Sequence, residues 1–211
     1  MYRIIQLFFF LTCSLVSYAQ DFIAVDDVNL VKDKIRLVSE SANSLSSDFV
    51  QEKHISFLEE VVSTKGIFKF EKEDKIRWEY IEPYSYIVVL KDGKLLIDDE
   101  GKKNKLDIGQ NIMFKKISKM ISKSMSGDVL EEQKEFTPVL EKNDEFYKVT
   151  LTPQQKRLQN YLEIIEVYFD KKSCLVNSVV LREGEEDFTR INFINMKLNG
   201  EVTEADFILN K

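Results

Sequence analysis

The sequence predicts a mainly β (α+β) fold, built from one antiparallel sheet with a few inserted helices. Short runs in which apolar and polar residues alternate recur along most of the chain, and residues typical of tight turns separate them. Two longer stretches instead repeat apolar residues every three or four positions, which is the period of an amphipathic helix. A sheet of roughly ten consecutive strands tends to curl or close on itself.

The first nineteen residues have the composition of a secretory signal peptide. Arg3 precedes an apolar run from Ile4 to Val16, and the small residues Ser17 and Ala19 precede the cleavage point expected before Gln20. The run is shorter than the about 20 apolar residues that a membrane span needs. We therefore expect residues 1–19 to be a cleaved signal peptide and residues 20–211 to form one exported domain.

Composition argues against several classes of function. A formal net charge of −6 disfavours nucleic acid as a partner. The mature chain would keep one cysteine, Cys174, so no intramolecular disulfide is expected. One histidine, His54, supplies neither a metal cluster nor a nucleophile with its base, and the seven glycines form no phosphate-binding loop. We expect no catalytic residues, no metal and no cofactor, and hence no enzyme.

The first amphipathic stretch predicts a helix over residues 26–45, with Asp26 or Asp27 as its N-cap. Its apolar residues are spaced three and four apart: Val28, Val31, Ile35, Val38, Ala42 and Leu45. From Ser46 the period changes to that of a strand. Further strands are predicted at 61–70, 75–81, 84–91, 94–99, 136–142, 145–152, 161–169, 174–183, 187–197 and, briefly, 206–209. The pair Asp92-Gly93 predicts a tight hairpin turn.

The second amphipathic stretch, residues 110–125, predicts a helix with one apolar face. That face carries Met113, Ile117, Met120 and Ile121, and most of the lysines lie opposite. Either ordinary core packing or a movable cover over apolar space would use such a face. Methionine suits the second role because it is flexible and packs against different partners.

Two predicted strands differ in which faces are apolar. KIRWEYI (75–81) alternates, with Ile76, Trp78 and Tyr80 on one side, as a half-exposed antiparallel strand should. YSYIVVL (84–90) is apolar on both sides. One face of the sheet therefore needs an apolar filling, and part of the other face is also covered. Either the inserted helices alone cover these faces, or the sheet encloses an apolar cavity.

Residues 43–97 contain, in this order, the segments NSLSSDFVQEK, GIFKF, IRWEY, Pro83, YIVVL and KDG. In their order and nearly in their spacing, these segments resemble the LolA family of outer-membrane lipoprotein carrier proteins. Near the end of the chain, NGEVTEADFIL (199–209) looks like the family's closing segment. The resemblance implies an incomplete, strongly curved antiparallel β-barrel with an α-helical lid that encloses a hydrophobic cavity.

The resemblance also implies a function and a set of site residues. The expected function is a monomeric periplasmic carrier that takes acylated lipoproteins from an inner-membrane ABC transporter of LolCDE type to an outer-membrane acceptor. The same fold could instead carry another lipid, such as a glycolipid or polyene-type product, or act as a sensor that binds a protein partner. The cavity candidates are Phe68, Phe70, Ile76, Trp78, Tyr80, Ile87 and Val89, and the lid candidates are Met113, Ile117, Met120 and Ile121.

One position departs from the family pattern. In its best-known branch an Arg-Pro pair lies before the tryptophan, and the arginine tethers the lid. Here those positions read Lys72 and Glu73. Lysine still donates hydrogen bonds but lacks the fixed fork of a guanidinium, so Lys72 is the candidate for a different or weaker latch.

Overall fold

The computed structural model of the protein describes residues 21–58, 60–72, 75–107, 135–184 and 186–209, with the side chains at 106 and 107 left aside. The predicted signal peptide and the predicted second helix, with its four lid candidates, lie outside the described residues. The described residues form a single antiparallel sheet of twelve strands with a few helical segments.

The elements follow one another along the chain with short turns between most strands. The strands are β1 (Ile23–Ala24), β2 (Ser44–His54), β3 (Val62–Glu71), β4 (Lys75–Glu82), β5 (Tyr86–Lys91), β6 (Lys94–Asp99), β7 (Lys102–Asp107), β8 (Phe136–Lys142), β9 (Phe146–Pro153), β10 (Ile164–Asp170), β11 (Val176–Arg182) and β12 (Phe188–Leu198). The helical segments are α1 (Val28–Ser41), α2 (Lys156–Gln159) and a C-terminal 3₁₀ helix (Glu204–Phe207).

Pairing of β12 with β2 at the centre of the sheet joins two meanders, β2–β7 and β8–β12. β1 extends the sheet beside β8, and β7 forms the opposite edge, so the sheet is not closed. Register shifts interrupt the pairing at 65/66, 168/169 and 194/197. Such bulges bend a strand and increase its twist. The prediction of a mainly β, curved and incomplete antiparallel barrel is confirmed.

Helix α1 confirms the first predicted helix with shorter bounds. Asp27 is its N-cap, and its carboxylate accepts a 2.9 Å hydrogen bond from the backbone N–H of Leu30. The helix ends at Ser41, and Leu45 already belongs to β2. The backbone N–H of Asn43 donates to the side chain of Asn199 at 2.7 Å instead of to a helical carbonyl, which fixes the extended backbone there.

Three short elements differ from the prediction. Strands β1 and β7 were not predicted, since the first is two residues long and the second is rich in lysine. The strand predicted at 206–209 is wrong, because residues 204–207 form a 3₁₀ helix. A capping box explains this helix: the Thr203 side chain accepts from the Asp206 backbone, and the Asp206 carboxylate accepts from the Thr203 N–H at 2.8 Å.

The pairing register places one set of apolar residues on a common face, which we name the inner face. Phe49 on β2 lies opposite Phe193 on β12, and Phe68 on β3 lies opposite Trp78 on β4. This face continues through both meanders into one buried hydrophobic cluster. Val31 and Ile35 of α1 belong to the same cluster, with exposed fractions of 5% and 1%. Helix α1 therefore covers part of the inner face.

The opposite, outer face is covered locally by the C-terminal 3₁₀ helix. Phe207 is fully buried, although it lies outside the inner cluster. Glu204 pairs with Lys91 and, at 2.9 Å, with Lys75, and both lysines lower the pKa of its carboxyl. Asp206 pairs with Lys69. Burial acts to raise the pKa of the Asp206 carboxyl. Its hydrogen bonds with Lys69 and Thr203 outweigh this effect, so the pKa lies below its ordinary value.

Gly66 on β3 allows two neighbouring elements to approach closely. An added Cβ at this position would lie 2.0 Å from the backbone oxygen of Glu79 and 2.5 Å from Cζ of Phe49. Neither the backbone of β4 nor the buried ring of Phe49 can move aside freely. The absence of a side chain at Gly66 is therefore a requirement of the inner face.

We predict that Gly66→Ala lowers the free energy of unfolding by about 2–4 kcal/mol, because it overpacks a close contact. Gly184→Ala is the matched control, since an added Cβ there meets nothing within 4 Å. Chemical denaturation of both variants measures the difference. Equal stabilities of the two variants would contradict this packing account.

Candidate functional site

Aromatic rings dominate the centre of the inner face. The Trp78 ring lies 4.4 Å from the ring of Phe49, 5.5 Å from that of Phe68 and 6.2 Å from that of Phe193, measured between centroids. All four side chains are at least nine-tenths buried. They come from β2, β3, β4 and β12, which are neighbours in the sheet. The chain's single tryptophan thus stands at the centre of the inner face.

The structure separates the predicted cavity residues into two groups. The following five lie on the inner face: Phe68, Phe70, Ile76, Trp78 and Tyr80. Ile87 and Val89 do not, because β5 pairs with β4 so that Glu79 lies opposite Ile87 and Arg77 lies opposite Val89. Those two residues therefore face outward, and their assignment to the same wall as Trp78 is corrected. Whether the inner five bind a ligand stays a prediction.

Several inner-face residues were missed by the sequence-based prediction. On β5 and β6 they are Val88, Leu90, Leu95 and Ile97, and on β9–β12 they include Val149, Leu151, Val167, Val179, Ile191 and Phe193. A doubly apolar run such as YIVVL does not reveal which alternate residues face inward. The turn between β4 and β5 would have settled this, because it sets Tyr80 opposite Tyr86 and hence Trp78 opposite Val88.

Three tyrosines close one end of the inner face. The Tyr80 ring lies 5.8 Å from that of Tyr84 and 6.2 Å from that of Tyr86. The Tyr80 hydroxyl donates a 3.0 Å hydrogen bond to the side-chain oxygen of Gln51. Burial raises the pKa of Tyr80 and, together with Asp99, that of Tyr86. Both phenols are therefore neutral at physiological pH.

Apolar hairpin tips extend beyond this tyrosine end. Val62 pairs with Lys53, and Glu82 pairs with Lys65, so the β2–β3 and β4–β5 turns lie at the same end of the sheet. Phe57 is 81% exposed at the first tip. Other exposed apolar residues at these tips are Leu58, Val61, Val62, Ile81 and Tyr84. Exposed apolar clusters commonly mark surfaces that contact membranes or partner proteins.

At the other end of β3 and β4, Lys72 forms a hydrogen bond with helix α1. Its ammonium group donates a 2.7 Å hydrogen bond to the backbone carbonyl of Glu40, in the last turn of α1. Its backbone N–H also donates to the carbonyl of Asn43. The latch candidate thus contacts the described helix that covers the inner face. The predicted lid residues lie outside the described chain, so the latch role itself stays a prediction.

A groove of about 650 Å³ lies beside the bulge at 194–197, along β2, β3 and β12. Its lining is mixed: Ser46, Ser47, Asp48, Ile67, Phe68, Lys69, Asn195, Met196 and Lys197. Hydrocarbon gains little from a wall with this many polar and charged groups. The groove is therefore a poorer acyl-chain site than the inner face.

Other candidate chemistries find no support among the described residues. His54 stacks on Phe188 with ring centroids 4.1 Å apart. Burial raises the pKa of the Cys174 thiol, which opposes thiolate chemistry. The described part of the chain contains no group of three or more potential metal ligands. No helix within it is long and apolar enough to cross a membrane.

Comparison with known families decides the classification. The family described as "Outer membrane lipoprotein carrier protein LolA" matches residues 40–210. This region contains β2 through β12 and the C-terminal 3₁₀ helix. The chain belongs to the LolA family. The resemblance drawn from the Trp78 region is thereby confirmed. Among curated proteins, none matches this LolA family protein in sequence.

The fold of this LolA family protein also occurs in a solved structure of low sequence identity. An uncharacterized conserved protein from Thermus thermophilus is 9% identical, with a TM-score of 0.55 and coverage of 85% of this chain and 91% of that chain. At this identity the likeness shows the fold alone.

Two further structures have TM-scores below 0.5. The Pseudomonas aeruginosa MucA/MucB complex gives 14% identity and a TM-score of 0.49, with 85% of this chain covered. The match spans 61% of that longer chain. A LolA superfamily protein from Nitrosomonas europaea gives 8% identity, a TM-score of 0.46 and coverage of 86% of this chain and 97% of that chain.

We predict that Lys72→Met loosens α1 of this LolA family protein, because it removes the hydrogen bond to the Glu40 carbonyl. Amide hydrogen exchange in the last turn of α1 should accelerate by roughly twofold to fivefold, with the central strands unchanged. Lys72→Arg should exchange nearly as the natural protein does. Lys94→Met, at the exposed start of β6, is the control. An equal effect of this substitution would contradict a specific tether.

Proposed function

We propose that this protein is a periplasmic carrier that holds lipoprotein acyl chains against its inner face and moves them from the inner to the outer membrane. The observation that carries the proposal is the continuous apolar inner face, which runs through both meanders of the sheet and lies partly under α1. Membership of the LolA family supports the same conclusion.

Energetics favour the inner face as the binding surface for hydrocarbon. Removal of one methylene group from water is worth about 0.8 kcal/mol, so a chain of sixteen carbons represents roughly 12 kcal/mol that a carrier must largely match. A hydrogen bond contributes only about 1 kcal/mol net. Only an extended apolar surface can supply a favourable free energy of roughly 12 kcal/mol. Among the described residues, the inner face forms such a surface.

A carrier also needs a cover for this face when no cargo is bound, because a large wet apolar surface promotes aggregation. Helix α1 supplies part of such a cover through Val31 and Ile35. In our proposal the predicted helix at 110–125 supplies a movable part through Met113, Ile117, Met120 and Ile121. The hydrogen bond from Lys72 to the end of α1 then limits how readily the cover opens.

The remaining features of the proposal combine what the sequence predicts with what the family resemblance implies. Residues 1–19 are a signal peptide that directs the domain 20–211 to the periplasm. The carrier is a monomer without catalytic activity or cofactor. It accepts cargo from an inner-membrane ABC transporter of LolCDE type and delivers it to an outer-membrane acceptor. The apolar hairpin tips around Phe57 are the surface through which it approaches these partners or the membrane.

The direct test of cargo is mass spectrometry of the protein isolated from the periplasm. The proposal expects an acylated lipoprotein bound in about stoichiometric amount. A bound glycolipid or polyene would support the carrier function but show that the cargo is that lipid and not a lipoprotein. A stoichiometric protein partner without lipid would overturn the proposal in favour of a sensor.

A matched pair of variants on β6 tests the binding face. Ile97 packs against the inner cluster, whereas its neighbour Leu96 points to the outer face, and both are half-buried. Ile97→Glu should weaken uptake of a fluorescent fatty acid by at least roughly tenfold, since a carboxylate beside the chain must be desolvated. Leu96→Glu should bind as the natural protein does. Loss in both variants, or in neither, with the fold intact by circular dichroism, would contradict the assignment.

A further inference from the structure

The inner face contains two polar atoms that have no partner. Among the described residues, Thr64 Oγ1 and Trp78 Nε1 are the buried side-chain nitrogen or oxygen atoms without a hydrogen bond. The exposed fraction is 3% for Thr64 and 9% for Trp78. Buried polar groups in folded proteins are nearly always paired, because an unpaired one loses its bonds to water without compensation. Two such atoms on one face therefore need an explanation.

Both atoms border an existing hydrogen bond on the same face. Thr64 lies directly opposite Gln51 in the β2–β3 pair. The Gln51 side-chain oxygen accepts the bond from the Tyr80 hydroxyl. Trp78 precedes Tyr80 by two positions on β4, and their ring centroids are 6.3 Å apart. We name these four residues, Gln51, Thr64, Trp78 and Tyr80, the inner polar patch.

Two hydrogen-bonding groups of the patch, the Trp78 N–H and the Thr64 hydroxyl, have no hydrogen-bond partner within the described part of the protein. Burial raises the pKa of Tyr80, and the nearby Trp78 N–H acts in the opposite direction and lowers it. The Trp78 N–H nevertheless meets no acceptor in hydrogen-bond geometry among the residues that the structure describes. An indole N–H can only donate, whereas the Thr64 hydroxyl can donate or accept. The patch carries no formal charge, since burial keeps the Tyr80 phenol neutral.

The position of the patch indicates how a ligand would be oriented on the inner face. Thr64 and Gln51 lie near the tyrosine end of β3 and β2, where Gln51 and Tyr80 are partly exposed. Further from that end the inner face is mainly apolar, through Phe68 and Phe70. The buried Ser47 lies opposite Phe68, and its hydroxyl is hydrogen-bonded to backbone carbonyls. A ligand that matches this order has a neutral polar group at one end and a hydrocarbon chain that runs past Trp78.

We infer that the inner polar patch binds the ester or amide linkage at the head of an acyl chain. The Trp78 N–H donates to the carbonyl oxygen of the linkage, and the Thr64 hydroxyl bonds a second polar atom of the head group. The inference rests on the proposed function and narrows its ligand class to acyl esters and amides, as opposed to bare hydrocarbons or polyenes.

The test compares two pyrene-labelled probes of equal chain length, a methyl ester and an alkane. The natural protein should bind the ester at least about fivefold more tightly, as one or two buried hydrogen bonds would give. Thr64→Val should remove most of this preference and leave alkane affinity unchanged. Trp78→Phe should also reduce the preference. Thr64→Ser, which keeps the hydroxyl, should retain it.

A structural control separates binding from folding. Thr64→Val removes an unpaired hydroxyl, so the empty protein should be as stable as the natural one or more stable. Thr189→Val makes the same change at another buried threonine of the inner face and should keep the ester preference. Equal affinities of the natural protein for both probes, or a full preference in Thr64→Val, would overturn the polar patch alone. Binding of neither probe would overturn the proposed carrier function as well.

Discussion

The structure depends on one constraint: the apolar inner face of a strongly curved sheet must be kept from water. Bulges in β4, β11 and β12 bend the sheet around this face. Gly66 lets β4 and the ring of Phe49 approach closely, and α1 lies over part of the surface. In the carrier that we propose, either the cover or the cargo shields the inner face from water, so the same surface serves both stability and binding.

The two faces of the sheet divide these tasks. The inner face is mainly apolar, with the inner polar patch and the buried Ser47 and Thr189 among its polar residues, whereas the outer face around β3–β5 is rich in ion pairs. Lys69, Lys75 and Lys91 hold the C-terminal 3₁₀ helix there, and Phe207 is buried beneath it. This explains why YIVVL is apolar on both sides: Val88 belongs to the inner cluster, and Val89 is fully buried on the outer face.

Much of the fold could be predicted from the sequence, because period and turn chemistry are local signals. The alternation in KIRWEYI placed Ile76, Trp78 and Tyr80 on one face correctly, and Asp92-Gly93 marked the β5–β6 turn. The inward residues of β5 could not be predicted, because a doubly apolar strand has no alternation to read. The 3₁₀ helix at 204–207 was missed because its apolar residues resemble a strand, whereas a long-range set of ion pairs and a local cap decide its structure. The inner polar patch was also beyond local reasoning, since its members come from three strands.

The position of Trp78 makes the central claim directly measurable. It is the only tryptophan of the chain, and it lies in the middle of the inner face. Titration with a fatty acid brominated along its chain should quench the tryptophan fluorescence, because bromine quenches at close range, while the unbrominated acid should not. Stoichiometric binding of the brominated acid with undiminished Trp78 emission would place the chain elsewhere and contradict the account.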